Sequence, residues 1–345
     1  MIYCQPIESG RDSMRIFIDE SGTFSGQNNI SAVGALIIPD QNFKGFEKLY
    51  GRLRRKLPQE KGEVKGRLLC EEHIGEVVAI LRKLNCLFEV VAVDSACHTE
   101  DEVKRHKTGQ EEHITMHLTD EHHETLVNAV WGLRKQLEAT SLQLYVQSCA
   151  MADLVYNSIY HANLYYSFRR PKELGEYHWV IDAKNRDKVT AWEDWWSTVI
   201  LPMIESRSFR EPFAAAEGGD YRAHERFRTE PGEYKKQFMK DPEKGDAFDL
   251  KLLLKEDFRF SWDAEYGLEA ADILVNAVRR SLAGNFRRQG WLPVRQLMVH
   301  WGQHYIRLIS LAAEDRKPPK VSYGKVLSDF STGGRNMLPP KYGEG

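Results

Sequence analysis

Carboxylates stand at the ends of several predicted strands of this chain. Asp19, Asp182 and Asp263 each follow a run rich in β-branched and aromatic residues, which is the pattern of a buried strand. A helix predicted to begin three residues after Asp263 carries Glu269 and Asp272, and a spacing of three puts both on one helix face. Because α/β folds bind ligands at the rim where strands end, we expect these side chains to meet there.

Such a group of carboxylates predicts a site for divalent metal ions. Converging carboxylates repel one another in a partly desolvated site unless cations neutralise them. Hard ions such as Mg²⁺ prefer oxygen ligands, and two ions about 3.5–4 Å apart can serve the attacking and the leaving oxygen of a phosphodiester. A single aspartate after a strand is more often a turn former or a helix N-cap, and Asp263 fits that simpler role. The hypothesis therefore rests on the whole group.

The elements that would position these residues follow from hydrophobic periodicity. Strands are predicted at 14–19, 30–38, 86–93, 177–182 and within 251–262, and helices at 43–57, 73–84, 125–137, 142–168, 189–204, 266–282 and 294–313. A hairpin-like start followed by alternating strands and helices predicts a mixed α/β sheet with helices packed on it. We expect one domain over residues 1–315 with polar insertions near 98–124 and 217–248, and a loosely ordered tail over 316–345.

Composition excludes several classes of protein. The chain has 48 Lys and Arg against 50 Asp and Glu, a net charge of −2, so it lacks the strongly basic coat of many nucleic-acid binders. Uncharged apolar runs such as Ala32–Ile38 fall far short of the roughly 20 residues of a membrane helix. The charged N-terminus does not resemble a secretory signal, and the five scattered cysteines indicate reduced thiols. We therefore expect a cytoplasmic protein with no membrane contact.

Four segments, in chain order, resemble the signatures of the DUF3800 family. They are Phe17–Phe24 with its Asp19-Glu20-Ser21-Gly22, then Glu63–Gly66, then Val180–Asp182, and last Asp263 with Gly267–Leu274. The matches lie within residues 16–279, and the first and last are the most specific. That family is placed in the RNase H-like superfamily, so the resemblance implies an RNase H-like fold: three strands, then helix, strand, helix, strand and helix, with helical and loop insertions.

The resemblance also implies roles for particular residues. In such folds an Asp on the first strand, an Asp at the end of the fourth strand and an acidic residue on the last helix bind the metals, which corresponds to Asp19, Asp182 and Asp272. Glu269 replaces the usual Gln of the family and adds a possible ligand, whereas Ala264 replaces a Ser and weakens the case for Asp263.

Other residues near these motifs have two interpretations each. Glu63 can complete the metal shell or be an ordinary loop Glu, and Glu20 points to the opposite strand face if its strand continues. Lys65 and Lys184 can contact phosphate or be ordinary surface lysines.

The basic and aromatic clusters also allow two interpretations each. The basic residues of 52–56, 279–280 and 287–288 can line a phosphate-tracking groove or cap helix dipoles. Three tryptophans, Trp192, Trp195 and Trp196, favour a core helix over base stacking. The pair His113 and His117 favours a polar insertion over a zinc site.

The sequence thus predicts a metal-dependent nuclease, or a related phosphoryl-transfer enzyme, that acts on a nucleic acid with Mg²⁺ or Mn²⁺, two ions in all. Asp19 would bridge the ions and Asp182 and Asp272 would each hold one, assisted by Glu269 or Glu63.

Two alternatives remain. One is an actin-like nucleotide hydrolase, in which Asp19 to Thr23 would form a first phosphate loop, although 217–219 is a poor second loop. The other is a non-catalytic RNase H-like scaffold. The sequence leaves open DNA or RNA, internal or terminal cleavage, and the oligomeric state.

Overall fold

Six strands make up the central sheet of the computed structural model, which describes residues 13–26, 29–183, 191–230, 236, 247–255, 258–300, 304–313, 315–317 and 319–339. The strands are β1 (Met14–Ser21), β2 (Ile30–Pro39), β3 (Leu87–Asp94), β4 (Tyr177–Asp182), β5 (Phe258–Ser261) and β6 (Ile306–Ile309). Their order across the sheet is β6-β3-β2-β1-β4-β5. Strand β2 is antiparallel to β1 and β3, and the other neighbouring pairs are parallel. The protein therefore has a mixed α/β architecture.

Helices connect these strands. They are α1 (Asp40–Arg54), α2 (Glu71–Lys83), α3 (Glu100–Thr115), α4 (Glu124–Ala139), α5 (Leu142–Tyr166), α6 (Ala191–Arg210), α7 (Leu250–Lys255), α8 (Tyr266–Leu282), α9 (Arg288–Trp291) and α10 (Gly324–Asp329). Three two-residue strand pairs add local hairpins or bridges: Gln59–Glu60 with Glu63–Val64, Arg228–Thr229 with Ala247–Phe248, and Val299–His300 with Arg335–Asn336. No helix in these residues is both long and apolar enough to cross a membrane.

The sheet is buried on both faces because its strands carry apolar residues at successive positions. Ile16 and Ile18 belong to the core formed with α5 and α6, whereas Phe17 between them belongs to the core formed with α1, α2 and α8. Side chains alternate between the faces of a strand, so the odd-numbered residues of β1 face α8. This alternation directs Asp19 toward α8, the helix that carries Glu269 and Asp272.

Helix α8 lies very close to the sheet at two glycines. A Cβ on Gly267 would stand 2.4 Å from a ring carbon of Phe17, and one on Gly34 of β2 would stand 2.9 Å from the ring of Phe88 and 3.1 Å from Val275. Any larger side chain at these two positions would push the helix and sheet apart. The two glycines thus set the distance between α8 and the end of β1.

One expectation from periodicity is wrong. In the described parts of 294–313, which are 294–300 and 304–313, a 3-10 turn (Val294–Leu297) and the strand β6 replace the predicted helix, because β6 pairs with the edge of β3. The strand predicted within 251–262 is confirmed as β5, and helix α7 ends before it at Lys255. The polar segment near 98–124 contains helix α3, whose start is fixed by a capping box between Thr99 and Glu102. The strand β6 is short and forms by pairing with β3, so periodicity alone does not predict it.

The C-terminal tail is not loosely ordered in its described part. Phe330 is fully buried, Met337 is nearly so, and the strand Arg335–Asn336 pairs with Val299–His300. Phe330 packs in the core that contains α2 and α8, and Met337 packs in the core that contains α5 and α6, so both cores hold parts of 319–339. Residues 340–345 lie outside the described part of the chain.

Candidate active site at the ends of the central strands

Asp19 and Asp182 lie side by side at one edge of the sheet. Strands β1 and β4 run parallel with Ile18 opposite Ile181, so the two aspartates follow the last paired residues of their strands. Asp182 is in turn opposite Ser261, the last residue of β5. Three neighbouring parallel strands therefore end together, as expected for the ligand-binding rim of an α/β fold.

The predicted acidic residues line one small cavity at this rim. Its volume is about 40 Å³. It is lined by Asp19, Glu63, Val64, Lys65, Asp182, Trp262, Asp263, Ala264, Glu265, Leu268, Glu269 and Asp272. All five predicted metal ligands are in this set and so is Asp263, whereas Glu20 is not. Residues distant in the sequence are thus brought together by the ends of β1, β4 and β5, the start of α8 and the segment that follows α1.

Larger cavities elsewhere hold compensated charges. In a cavity of about 550 Å³, Asp220 and Glu225 are ion-paired with Arg222 and Arg228. A cavity of about 680 Å³ contains Glu89, which is paired with His161. The small cavity differs because its carboxylates greatly outnumber its cations, and this excess of negative charge makes it the candidate site.

Asp272 is oriented by a close approach between α8 and the Glu63–Leu69 segment. The Gly66 backbone N–H donates a hydrogen bond of 2.6 Å to Asp272 Oδ2. A Cβ on Gly66 would stand 2.8 Å from the Asp272 carbonyl oxygen and 2.8 Å from Asn276 Cβ. Only glycine permits this contact, which explains why a glycine follows Lys65.

Glu269 is held by donors of the protein itself. The Arg54 guanidinium binds both carboxylate oxygens at 2.7 Å, and the Tyr50 hydroxyl and the Val64 N–H donate to it as well. The carboxylate is 5% exposed. Burial, followed by the negative charge of Glu269, raises the pKa of Tyr50, so that hydroxyl stays protonated as a donor. Glu269 thus ties α1 and the Glu63–Leu69 segment to α8.

One ammonium group lies among the acids. Lys65 Nζ is 2.5 Å from Glu63 Oε2. Burial works against the charge of Lys65, but the hydrogen bond and charge of Glu63 outweigh it, and Asp272 and Asp182 add to the effect, so the pKa of Lys65 is raised. Lys65 therefore acts as a cation inside the carboxylate group.

The site disfavours the charged forms of Asp182 and Asp272. Burial raises the pKa of Asp182 to about 6; Lys65 opposes the shift, and Asp272 and Glu63 increase it. Burial also raises the pKa of Asp272, against the hydrogen bond from Gly66 and the charge of Lys65. Both shifts indicate that the site would gain free energy from additional positive charge.

The carboxylates of the cavity are suitable ligands for a hard divalent ion, but as they stand their spacing does not form a metal site. Carboxylate oxygens are the ligands that Mg²⁺ and Mn²⁺ take. Within the part of the chain that the structure describes, however, no three His, Cys, Asp or Glu side chains are spaced to hold a metal ion as they stand. The His113 and His117 pair is included in this result.

Ser21 and Gly22, which follow Asp19 and Glu20, also have defined structural roles. The Ser21 hydroxyl accepts hydrogen bonds from Arg279 Nε at 2.8 Å and Asn276 Nδ2 at 3.2 Å. Gly22 has a φ of 108°, and a Cβ there would collide with Ser31. Ser21 and Gly22 therefore fix the end of β1 against α8 and β2, next to Asp19.

Four of the basic residues that sequence reasoning left open have structural partners. Arg54 binds Glu269, Arg279 binds Ser21, Arg280 donates to the Leu69 carbonyl, and Arg288 is paired with Asp329. These side chains hold elements together and do not form a free basic groove.

Trp196 and the second glycine loop also have defined places. Trp196 is buried and stacks on Phe258, as expected for a core residue. Gly219 lines a different cavity from Asp19, so the two phosphate loops required for an actin-like site are not brought together. Lys184 and the side chains of Trp192 and Trp195 lie outside the described residues.

Sequence reasoning missed two contributors to the site. Arg54 was one of several basic residues in a run, and nothing local marks it as the partner of Glu269, 215 positions away. Trp262, between Ser261 and Asp263, is 52% exposed at the cavity. Its position directly after a strand and before an aspartate is a signal that a sequence reading can use.

Comparison with known proteins finds no matching family model, no matching curated protein and no matching solved structure.

Proposed function

We propose that this protein is a metal-dependent nuclease that hydrolyses phosphodiester bonds of a nucleic acid. The observation that carries the proposal is that Asp19, Asp182 and Asp272, from two strands and a helix far apart in the sequence, line one cavity at the carboxyl ends of the strands. The raised pKa values of Asp182 and Asp272 support it, since burial and neighbouring carboxylates disfavour their charged forms and bound cations would relieve this cost.

The proposal includes an RNase H-like core related to the DUF3800 family. It is supported by the order of elements: an antiparallel β1-β2-β3 arrangement, then strands β4 and β5, each followed in the described residues by a helix. It is also supported by the positions of Asp19 on the first strand, Asp182 on the fourth strand and Asp272 on α8, the helix that follows the fifth strand.

In this proposal Asp19, Asp182, Asp272 and Glu63 hold two Mg²⁺ or Mn²⁺ ions, and Glu269 positions the helix that carries Asp272. Bound ions of this kind activate a water and stabilise the leaving oxygen of a phosphodiester. Lys65 must leave Glu63 for that carboxylate to become a ligand. The Gly66 N–H keeps the Asp272 carboxylate at the cavity by holding Oδ2.

The test is cleavage of labelled DNA and RNA oligonucleotides in Mg²⁺, Mn²⁺ or EDTA. We expect cleavage with either ion, no cleavage in EDTA, and loss of activity to background in Asp19→Asn, because the amide keeps the shape but lacks the charge that holds an ion. Asp120→Asn, an exposed aspartate between α3 and α4, is the matched control and should cleave as the wild type does. Equal cleavage by wild type and Asp19→Asn contradicts the proposal.

A further inference from the structure

Trp262 is an exposed aromatic side chain at the mouth of the acidic cavity. It follows Ser261, the residue of β5 that is opposite Asp182. Its side chain lines the cavity together with the aspartates and is nevertheless 52% exposed. The other larger apolar side chains of the lining, Val64 and Leu268, are buried. The apolar surface offered to a molecule at the mouth is therefore the indole ring.

The cavity itself is too small to enclose part of a nucleotide. Its volume of about 40 Å³ is far below the roughly 300–1,000 Å³ of pockets that enclose small organic ligands. A cavity of this volume can hold ions or water molecules. A substrate must therefore lie across the mouth, with its phosphate toward the carboxylates and its remaining groups on the surrounding surface.

Charge provides little attraction for a nucleic acid there. The carboxylates repel phosphate until cations neutralise them, and the neighbouring Lys65 and Arg67 are ion-paired with Glu63 and Glu60. Stacking on an aromatic ring does not depend on charge and accepts any base, because every base has a π-face. An exposed indole beside the phosphate position supplies this interaction.

We propose that Trp262 stacks on an unpaired base next to the scissile phosphate, so that the substrate is a single-stranded nucleic acid or a locally unpaired segment. This inference rests on the proposed nuclease function. In a duplex both faces of a base are covered by its neighbours, so the ring cannot stack unless the base leaves the helix. Trp262 thus acts as a positioning and selectivity residue.

The experiment compares wild type, Trp262→Ala, Trp262→Phe and Trp131→Ala on three 12-residue substrates in Mn²⁺. The substrates are oligothymidine, the same strand paired with oligoadenine, and a strand of abasic residues. Trp131 on α4 is the matched control because it is 43% exposed and does not line the cavity.

We expect the wild type to cleave single-stranded oligothymidine with a kcat/KM at least about tenfold above that for the duplex and the abasic strand. Trp262→Ala should lose about tenfold on oligothymidine, mainly through a higher KM, and change little on the abasic strand. Trp262→Phe should retain most of the activity, and Trp131→Ala all of it. A tenfold loss corresponds to about 1.4 kcal/mol, within the range measured for one stacked base.

The fluorescence anisotropy of labelled oligothymidine, measured with each protein in Mg²⁺ at low temperature, reports binding without requiring cleavage. Tighter binding by wild type and Trp262→Phe than by Trp262→Ala supports stacking even if nothing is cleaved, and only absence of cleavage of both DNA and RNA oligonucleotides counts against the proposed nuclease function. Equal binding and equal cleavage by wild type and Trp262→Ala, or equal cleavage of single strand and duplex by the wild type, overturns the inference while leaving nuclease activity in place.

Discussion

Glu269 and Asp182 line the same cavity but differ in what surrounds their carboxylates. Both oxygens of Glu269 are bound by the Arg54 guanidinium, with the Tyr50 hydroxyl and the Val64 N–H as further donors. Asp182 instead faces the charges of Asp272 and Glu63, with Lys65 as the opposing cation. Removing the charge of each residue should therefore change stability in opposite directions.

Asp182→Asn should stabilise the metal-free protein above neutral pH. Because the folded-state pKa of Asp182 is raised to about 6 from 3.8, protonation of this carboxyl stabilises the folded protein. That stabilisation is fully present below about pH 4 and is lost as the pH rises through 6. A shift of this size corresponds to about 2–3 kcal/mol. In EDTA we expect the variant to melt above the wild type at pH 8 and close to it at pH 4.5.

Asp120→Asn serves as the control for that measurement, since Asp120 is exposed in a turn. Its melting temperature relative to the wild type should not depend on pH. If Asp182→Asn melts below the wild type at pH 8 in EDTA, Asp182 is a structural residue and the repulsion we describe is absent.

Glu269→Gln should destabilise the protein, with or without metal. The change leaves the Arg54 guanidinium, which is 17% exposed, without its charged partner. Losing one member of a buried ion pair costs about 3–5 kcal/mol. Glu265→Gln is the matched control: its partner Arg259 is 41% exposed, and such pairs contribute less than about 1 kcal/mol. Urea unfolding in EDTA and in Mn²⁺ measures both.

The loss of stability in Glu269→Gln, measured in EDTA and in Mn²⁺, distinguishes two roles of Glu269. A positioning residue gives the same loss of stability in EDTA and in Mn²⁺. A larger loss in Mn²⁺ than in EDTA would show that Glu269 is itself a metal ligand, as its sequence position suggested.

At the scale of elements, the site depends on how closely α8 approaches the sheet and the Glu63–Leu69 segment. Gly34 and Gly267 set the first distance and Gly66 sets the second. Arg279 and Arg280 add hydrogen bonds from α8 to Ser21 and to the Leu69 carbonyl. The metal ligands of the proposal are thus carried by elements whose separation is fixed by residues that do not themselves touch the cavity.

Gly66→Ala should impair the site more than its small size suggests. The added Cβ would meet the backbone of α8 at 2.8 Å, so the segment must move away and the hydrogen bond to Asp272 must lengthen. We expect a loss of stability of about 1–3 kcal/mol, as for overpacking, and a loss of metal-dependent cleavage.

Gly75→Ala is the matched substitution, because nothing lies within 4 Å of a Cβ there and Gly75 is inside α2. It should leave activity unchanged and raise stability by about 0.5–1 kcal/mol through helix propensity. Wild-type activity in Gly66→Ala would mean that the contact with Asp272 is dispensable.

At the scale of the whole molecule, part of the arrangement follows from the sequence. Strands β1 to β4 and helix α8 are predictable because each carries a clear local period, and strand ends predict that Asp19 and Asp182 share a rim. The strand β6 is not predictable in this way, since its conformation depends on pairing with β3, more than 200 positions earlier in the sequence.

The residues of the site, too, are only partly predictable from the sequence. The candidate acids are visible in the sequence, but the neutralisation of Glu269 by Arg54 requires a contact across 215 positions. The same is true of Gly66 and Asp272, which are 206 positions apart. Sequence patterns identify which residues carry charge, and only the folded chain determines which charges remain to be compensated.

The central claim is that the cavity formed by Asp19, Asp182 and Asp272 binds divalent ions. The most direct measurement is diffraction from crystals grown with Mn²⁺, recorded at an energy where manganese scatters anomalously. We predict anomalous peaks inside the cavity within coordination distance of the three aspartates, with Lys65 displaced from Glu63, and no such peaks in Asp19→Asn crystals. Absence of a peak near Asp19 in the wild type at saturating Mn²⁺ would contradict the account.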